Sequence, residues 1–308
     1  MSNSINTLTS VLYSNDIRYI IRQFLIERTS RGLSQRTIEF YTNELGYFCT
    51  YLENEGVKHL NELTPFHIRE YLVNLAKHRN QGGVHCSYRS IKVLLNWWEE
   101  EVDEDYKNPI KKVKVSPSKI KPLPGITVDN IERMIKACTT ENGGRDKAIL
   151  FFLFDTGIRA TEFISLNIND VDFITGEIII KHGKGDKART VYIGHTCRRV
   201  VKAYIKFREH GSYDPLFVTD DGYRFTYPGL REVIRRIAKR AGIKTPGLHD
   251  FRRAFALNML RNRVDLLTIS RLLGHSSLSV TERYVAQVND DLRDAHKVGS
   301  PVDKLKDI

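Results

Sequence analysis

Apolar residues recur every three or four positions through the first hundred residues, the spacing of helices that bury one face. Ile17, Ile20, Ile21, Phe24 and Leu25 form one stripe and predict a helix over 17–31. Gly32 stops it. Ser34 caps a second helix over 35–55, lined by Leu45, Phe48, Cys49 and Leu52 and closed by Gly56. Thr64-Pro65 opens a third, because proline suits the first helical turn. A fourth covers 85–101, with Ile91, Leu94, Leu95 and Trp98 on its apolar side. No strand pattern intervenes, so residues 16–105 read as an all-α domain behind a polar tail, residues 1–15.

The pattern then changes. An acidic run over 99–105 reads as a solvated helix end. Residues 106–124 hold Pro109, Pro117, Pro122 and Pro124, which forbid a continuous helix. Lys111, Lys112, Lys114, Lys119 and Lys121 therefore lie along an extended basic linker, either solvated or crossing a polyanion's backbone. Helical spacing returns over 127–137, 145–156, 197–209, 227–241, 249–261 and 265–273. Between them, 171–174, 177–181 and 189–193 are β-rich and separated by the turns Thr175-Gly176 and Gly183-Lys184-Gly185-Asp186. The expected fold is mainly α in two domains. The second, 125–308, is α+β with a small three-stranded antiparallel sheet.

Charge narrows the function. The chain of 308 residues carries a formal charge of +11. Residues 1–115 hold 15 Lys and Arg against 14 Asp and Glu, which leaves 33 against 23 for the remainder. A basic second half suggests a polyanionic partner. The four cysteines form no CxxC pair, so neither a zinc site nor a disulfide framework is indicated, and buried free thiols fit a reducing cytoplasm. No signal peptide and no apolar run long enough to cross a bilayer is visible, so no membrane role is expected.

The candidate chemistry lies in that basic half. Arg159 follows Gly157 at a helix end, where its side chain could be aimed into a cleft. Glu162, one turn on, serves equally to orient an arginine or to make a simple ion pair. His249 and Arg252, three residues apart, share one helix face, with Phe251, Ala254 and Phe255 left to pack. Two guanidinium groups are suited to a phosphodiester, because they bind its oxygens bidentately and keep their charge. Lys184 stands between two glycines at a hairpin tip, either as a proton donor or as a solvated lysine, with Lys181 and Lys187 as competitors. Tyr284 is a candidate nucleophile whose phenol, with a pKa of about 10, would need nearby cations. His275 precedes it by nine residues, so one unbroken helix would set the two on opposite faces. A break after Leu273-Gly274 is expected, with Ser277 or Ser279 capping a new helix and Glu282 completing a capping box.

Taken in order, Thr156-Gly157-Ile158-Arg159-Ala160-Thr161-Glu162, Gly183-Lys184-Gly185 with Arg189, Leu248-His249-Asp250-Phe251-Arg252 and Leu273-Gly274-His275 with Tyr284 resemble the motifs of the tyrosine recombinase (phage integrase) family. The resemblance covers nearly the whole chain, and its length is similar to Xer-type or simple mobile-element recombinases, with no room for an extra arm-binding domain. It implies a SAM-like core-binding domain before the catalytic one. It also implies site-specific cutting and rejoining of DNA through a 3′-phosphotyrosyl bond to Tyr284, without metal or cofactor. Arg159, Arg252 and His275 would hold the phosphate. His249 would be base or phosphate ligand, and Lys184 the acid. Implied partners are double-stranded DNA with inverted-repeat core sites, three further copies in a tetrameric synapse, and DNA-bending accessory proteins, in the cytoplasm. The segment after Tyr284 would dock on a neighbouring copy. Two positions depart from the pattern: Ala286 where histidine is common, and Ile158 where leucine is. The other readings are a DNA-binding protein without catalysis and a type IB topoisomerase, which the helical first domain fits poorly.

Overall fold

The computed structural model describes residues 15–116, 125–139, 143–181, 188–208, 214–275, 281, 296, 300 and 302. They divide into two compact units, Met1–Lys119 and Ile120–Ile308.

The first unit contains helices α1 (Ile17–Ser30), α2 (Gln35–Asn54), α3 (Pro65–Ala76) and α4 (Gln81–Glu101). Each start carries a cap the sequence supplies. The side chains of Asp16, Ser34, Thr64 and Asn80 accept from the backbone N–H of Tyr19, Thr37, His67 and Gly83. The Asn80 cap starts α4 four residues before the expected His85, in spite of Gly82 and Gly83. Phe24, Leu45, Phe48, Leu52, Ile68, Ile91, Leu94 and Leu95 are buried together. Phe24 meets Tyr41 and Trp97 edge-on at 5.3 and 5.5 Å.

The expected linker begins inside this unit. Asn108 caps a 3₁₀ turn, Pro109–Lys112, and Ile110 and Val113 are buried in the helical core. Arg69 donates to the Lys112 carbonyl at 2.7 Å, and Tyr88 donates to the Val113 carbonyl at 3.1 Å. His85 reaches the Ser116 carbonyl. The prolines do exclude a long helix here, yet the apolar residues between the lysines have a core to join.

The second unit contains α5 (Val128–Lys136), α6 (Gly143–Thr156), α7 (Ala160–Ser165), α8 (His195–Phe207), α9 (Tyr227–Arg240), α10 (Leu248–Arg261) and α11 (Leu266–Leu273) and a small sheet. Helix α6 buries Ala148, Ile149, Leu150, Phe152 and Leu153 and packs against α8 and α10. A helix apolar on every side belongs at a centre. The sheet pairs β1 (Glu177–Ile180) antiparallel with β2 (Arg189–Tyr192), Ile178 opposite Val191. The expected third strand is reduced to one bridge between Val171 and Ile178. Asp172 explains this: its carboxylate accepts from the N–H of Ile174 and of Thr175 and closes a turn.

Candidate active site

Four separate chain segments meet at the carboxyl end of α11. Gly274 ends that helix in the left-handed conformation, φ 64°, as the expected break after Leu273-Gly274 requires. A helix leaves its last carbonyls without intrahelical partners and carries partial negative charge there. Three consecutive carbonyls are each taken by a different arginine. Arg189 Nε donates to Leu272 at 3.1 Å, Arg252 Nη2 to Leu273 at 2.6 Å, and Arg159 Nη2 to Gly274 at 2.8 Å.

Each arginine is fixed a second time. Arg252, 1 % exposed on α10, donates through Nη1 to the Gly157 carbonyl at 3.0 Å. Gly157 lies just before Arg159 at φ 57°, and an added Cβ would meet the Phe255 ring at 2.7 Å, so glycine is the residue that lets this turn reach Arg252. Arg159 precedes α7, and its Nη1 donates to Glu162 Oε1 at 2.8 Å while its backbone N–H donates to Oε2 at 2.8 Å. Arg189, at the head of β2, closes a bidentate pair with the same carboxylate at 2.8 and 2.7 Å. Burial works against the charge of Glu162, but the hydrogen bonds from Arg189 and Arg159 outweigh it and pull its carboxyl down to about 2.

The two histidines feel this charge. Burial, then the cations Arg253, Arg252 and Arg159, hold the His249 imidazolium below its usual range, with Asp250 opposing. Burial and the charges of Arg252 and Arg159 push His275 down to about 4. Both rings are therefore neutral bases at neutral pH. His275 Nδ1 lies 2.7 Å from the hydroxyl of Thr281, a fully buried residue. The next helix position after His249 is also tied: Asp250 accepts from the Gly247 N–H and from Arg253, both at 2.7 Å.

The structure thus gathers Arg159, Glu162, His249, Arg252 and His275, which sequence nominated from three separate motifs. It adds Arg189, which sequence noted only as part of a motif, and Thr281, which no sequence argument singled out. Lys184 and Tyr284 lie outside the described residues. Lys181, a competitor for the acid's role, pairs with Asp170. Of the linker lysines, Lys111, Lys112 and Lys114 are exposed, and Lys111 pairs with Glu99 at 2.5 Å. Lys119 and Lys121 lie outside the described residues. Among the described residues no helix is long and apolar enough to cross a membrane.

Comparison with known proteins points one way. The phage integrase family model matches residues 125–290, and the model of the phage integrase N-terminal SAM-like domain matches 20–99. A tyrosine recombinase XerC of Oceanobacillus iheyensis is 30% identical over 284 residues, 88% of this chain and 92% of that protein. One from Staphylococcus aureus is 31% identical over 282 residues, 89% and 93% of the two chains. Among solved structures, the XerA recombinase is 27% identical with a TM-score of 0.52, covering 92% of this chain and 99% of that one. The XerH site-specific recombinase bound to palindromic difH substrate, post-cleavage, shares the fold at TM-score 0.72 and 21% identity, covering 90% and 83%.

Proposed function

This chain belongs to the phage integrase family and is a site-specific DNA recombinase of the Xer type, and from that membership we propose how its residues divide the chemistry. Tyr284 is the nucleophile. Its phenol oxygen attacks the scissile phosphorus, a bond to the tyrosine forms, and the bond from phosphorus to the 5′ oxygen breaks. Lys184 gives the leaving oxygen its proton, which yields a free 5′-hydroxyl. Because the phosphodiester energy is kept in the phosphotyrosyl bond, a 5′-hydroxyl from another strand reverses the step without a nucleotide cofactor.

Arg159 and Arg252 hold the non-bridging oxygens, where charge grows in the transition state. His275 donates to the same phosphate. His249, neutral because it is buried among cations, takes up the tyrosine proton or holds the phosphate. The observation that supports this reading is the meeting of Arg159, Arg252 and His275 around one helix end.

Duplex DNA with inverted-repeat core sites is the substrate, and four copies on two sites exchange strands in pairs. Residues 16–105 hold the core site, the lysines of 106–124 follow the backbone between the domains, residues 125–308 carry the chemistry, and the segment after Tyr284 docks on a neighbouring copy. The place of action is the cytoplasm, and DNA-bending proteins set direction.

A nicked duplex that loses its 5′-hydroxyl fragment on cleavage traps the intermediate. The cognate site comes first from selection out of a random pool. Wild-type protein then gives a covalent adduct that survives denaturation, and Tyr284→Phe gives none while still binding. An adduct in the phenylalanine variant removes Tyr284 from its role.

A further inference from the structure

Arg189 has no part in the chemistry just described, yet it ties Glu162 to the last turn of α11. Its Nε bonds the Leu272 carbonyl, and its Nη1 and Nη2 bond both oxygens of Glu162. Those two oxygens in turn hold Arg159, one through Nη1 and one through the backbone N–H. The side chain is 12% exposed, and every nitrogen of its guanidinium has a protein acceptor. Both terminal nitrogens of Arg189 are spent on a carboxylate that offsets their charge, whereas those of Arg252 meet neutral carbonyls.

Gly274 shows how closely the fit is built. A Cβ added there would stand 2.8 Å from Arg189 Cδ and 2.9 Å from Nε. The arginine therefore crosses the face of a residue that must lack a side chain, and that residue is the one before His275. The left-handed backbone of Gly274, φ 64°, excludes most other residues on its own.

We propose that Arg189 is a positioning residue of the recombinase. Through Glu162 it sets the guanidinium of Arg159, and through the Leu272 carbonyl it sets the turn that presents His275, so the phosphate cage is in place before DNA arrives. The proposal rests on the reading of Arg159 and His275 as phosphate ligands. It makes Glu162 the connecting group rather than a simple helix ion pair.

Arg189→Lys in the full chain is the direct test. One ammonium keeps the charge but cannot span carbonyl and carboxylate as a planar fork does. Adduct formation on the nicked duplex is expected to fall on the order of 100-fold, the cost of a small misplacement of reacting groups. DNA affinity should stay within about two-fold, since no phosphate contact is removed. An ion pair that only stabilises the fold would lower the unfolding midpoint and leave the rate per folded molecule at the wild-type value, which overturns the proposal.

Coupling gives the second readout. Because Arg189 acts partly through Arg159, the double variant Arg159→Lys with Arg189→Lys should lose less than the product of the two single losses. Multiplied losses overturn the idea. Should Arg189→Lys lack a cooperative unfolding transition, Arg189→Gln, which keeps a donor for the carbonyl and loses the carboxylate pair, is scored the same way per folded molecule. Slowed cleavage then supports the proposal, and wild-type cleavage overturns it. Failure of the underlying reading looks different: wild-type protein that forms no Tyr284-dependent adduct ends both.

Discussion

Replacing Glu162 by glutamine keeps the side chain's shape and removes its charge, so the consequence can be worked from the structure. The carboxylate is 3% exposed and accepts from Arg159 and from both terminal nitrogens of Arg189. Its carboxyl is held at about 2, against an ordinary value near 4.3, a difference that converts to about 3 kcal/mol. Breaking a buried ion pair by removing one partner costs about 3 to 5 kcal/mol, so the two routes agree. Glutamine also turns an amide donor toward guanidinium donors. For a unit of this size, residues 120–308, such a loss lowers the unfolding midpoint by about 6 to 12 °C. Because the folded carboxyl is depressed, its contribution is whole above an ordinary carboxyl's pKa and is lost as pH falls through about 2. Calorimetry of the full chain, following the transition of residues 120–308, should find the gap between wild type and Glu162→Gln constant from about pH 7 to 5 and narrowing below about 4.5. A midpoint shift under about 2 °C at neutral pH, or a gap that stays constant to about pH 3, refutes the reasoning.

Two further outcomes follow from the same charges. His275, pushed down to about 4 by burial and then by Arg252 and Arg159, favours folding while neutral; its contribution is present above about 6.5 and lost as pH falls through about 4. A proton resonance of its ring that titrates above pH ~6 contradicts this. Binding to the selected DNA site should weaken steeply with salt, with a log–log slope of about −0.9 per phosphate neutralised, and a flat response between about 50 and 200 mM rules out a phosphate-tracking interface.

Local rules made most of the fold readable. Caps at Ser34 and Thr64, the stop at Gly274 and the apolar spacing act within a few residues, so periodicity and cap chemistry find them, whereas the caps at Asp16 and Asn80 went unread. What escaped depends on distant partners. Pro109 to Pro117 reads as an extended run until Ile110 and Val113 find the core built by α1 to α4. The third strand failed because an aspartate at 172 can close a turn, a choice that competes with the β-propensity around it. The site residues were nominated by order and spacing along the chain. Their geometry was not legible, because Arg189 meets Glu162 across 27 residues and Leu272 across 83. No local pattern marks a lone arginine at the head of a strand as the tie between them.

The charge inventory explains why this geometry suits a phosphodiester. Against three guanidinium groups, Arg159, Arg189 and Arg252, stands one carboxylate, Glu162, bonded by the first two, and the pair Asp250–Arg253 cancels itself. Both histidines are kept neutral by burial and by those same cations. The described cluster therefore holds two positive charges that no carboxylate in it balances, steadied by the negative end of α11. A diester enters with one negative charge and gains a second as the phenol oxygen adds. A cage with two positive charges, fixed in advance by carbonyls and by Glu162, complements the doubly charged state better than the ground state. On the proposed roles, that difference, rather than tight binding of uncut DNA, is what lowers the barrier. The carboxylate's place fits the proposed roles: it binds Arg189 through both terminal nitrogens and Arg159 through Nη1, which leaves Arg252 and Nη2 of Arg159 on the carbonyls of the helix end proposed to face the phosphate.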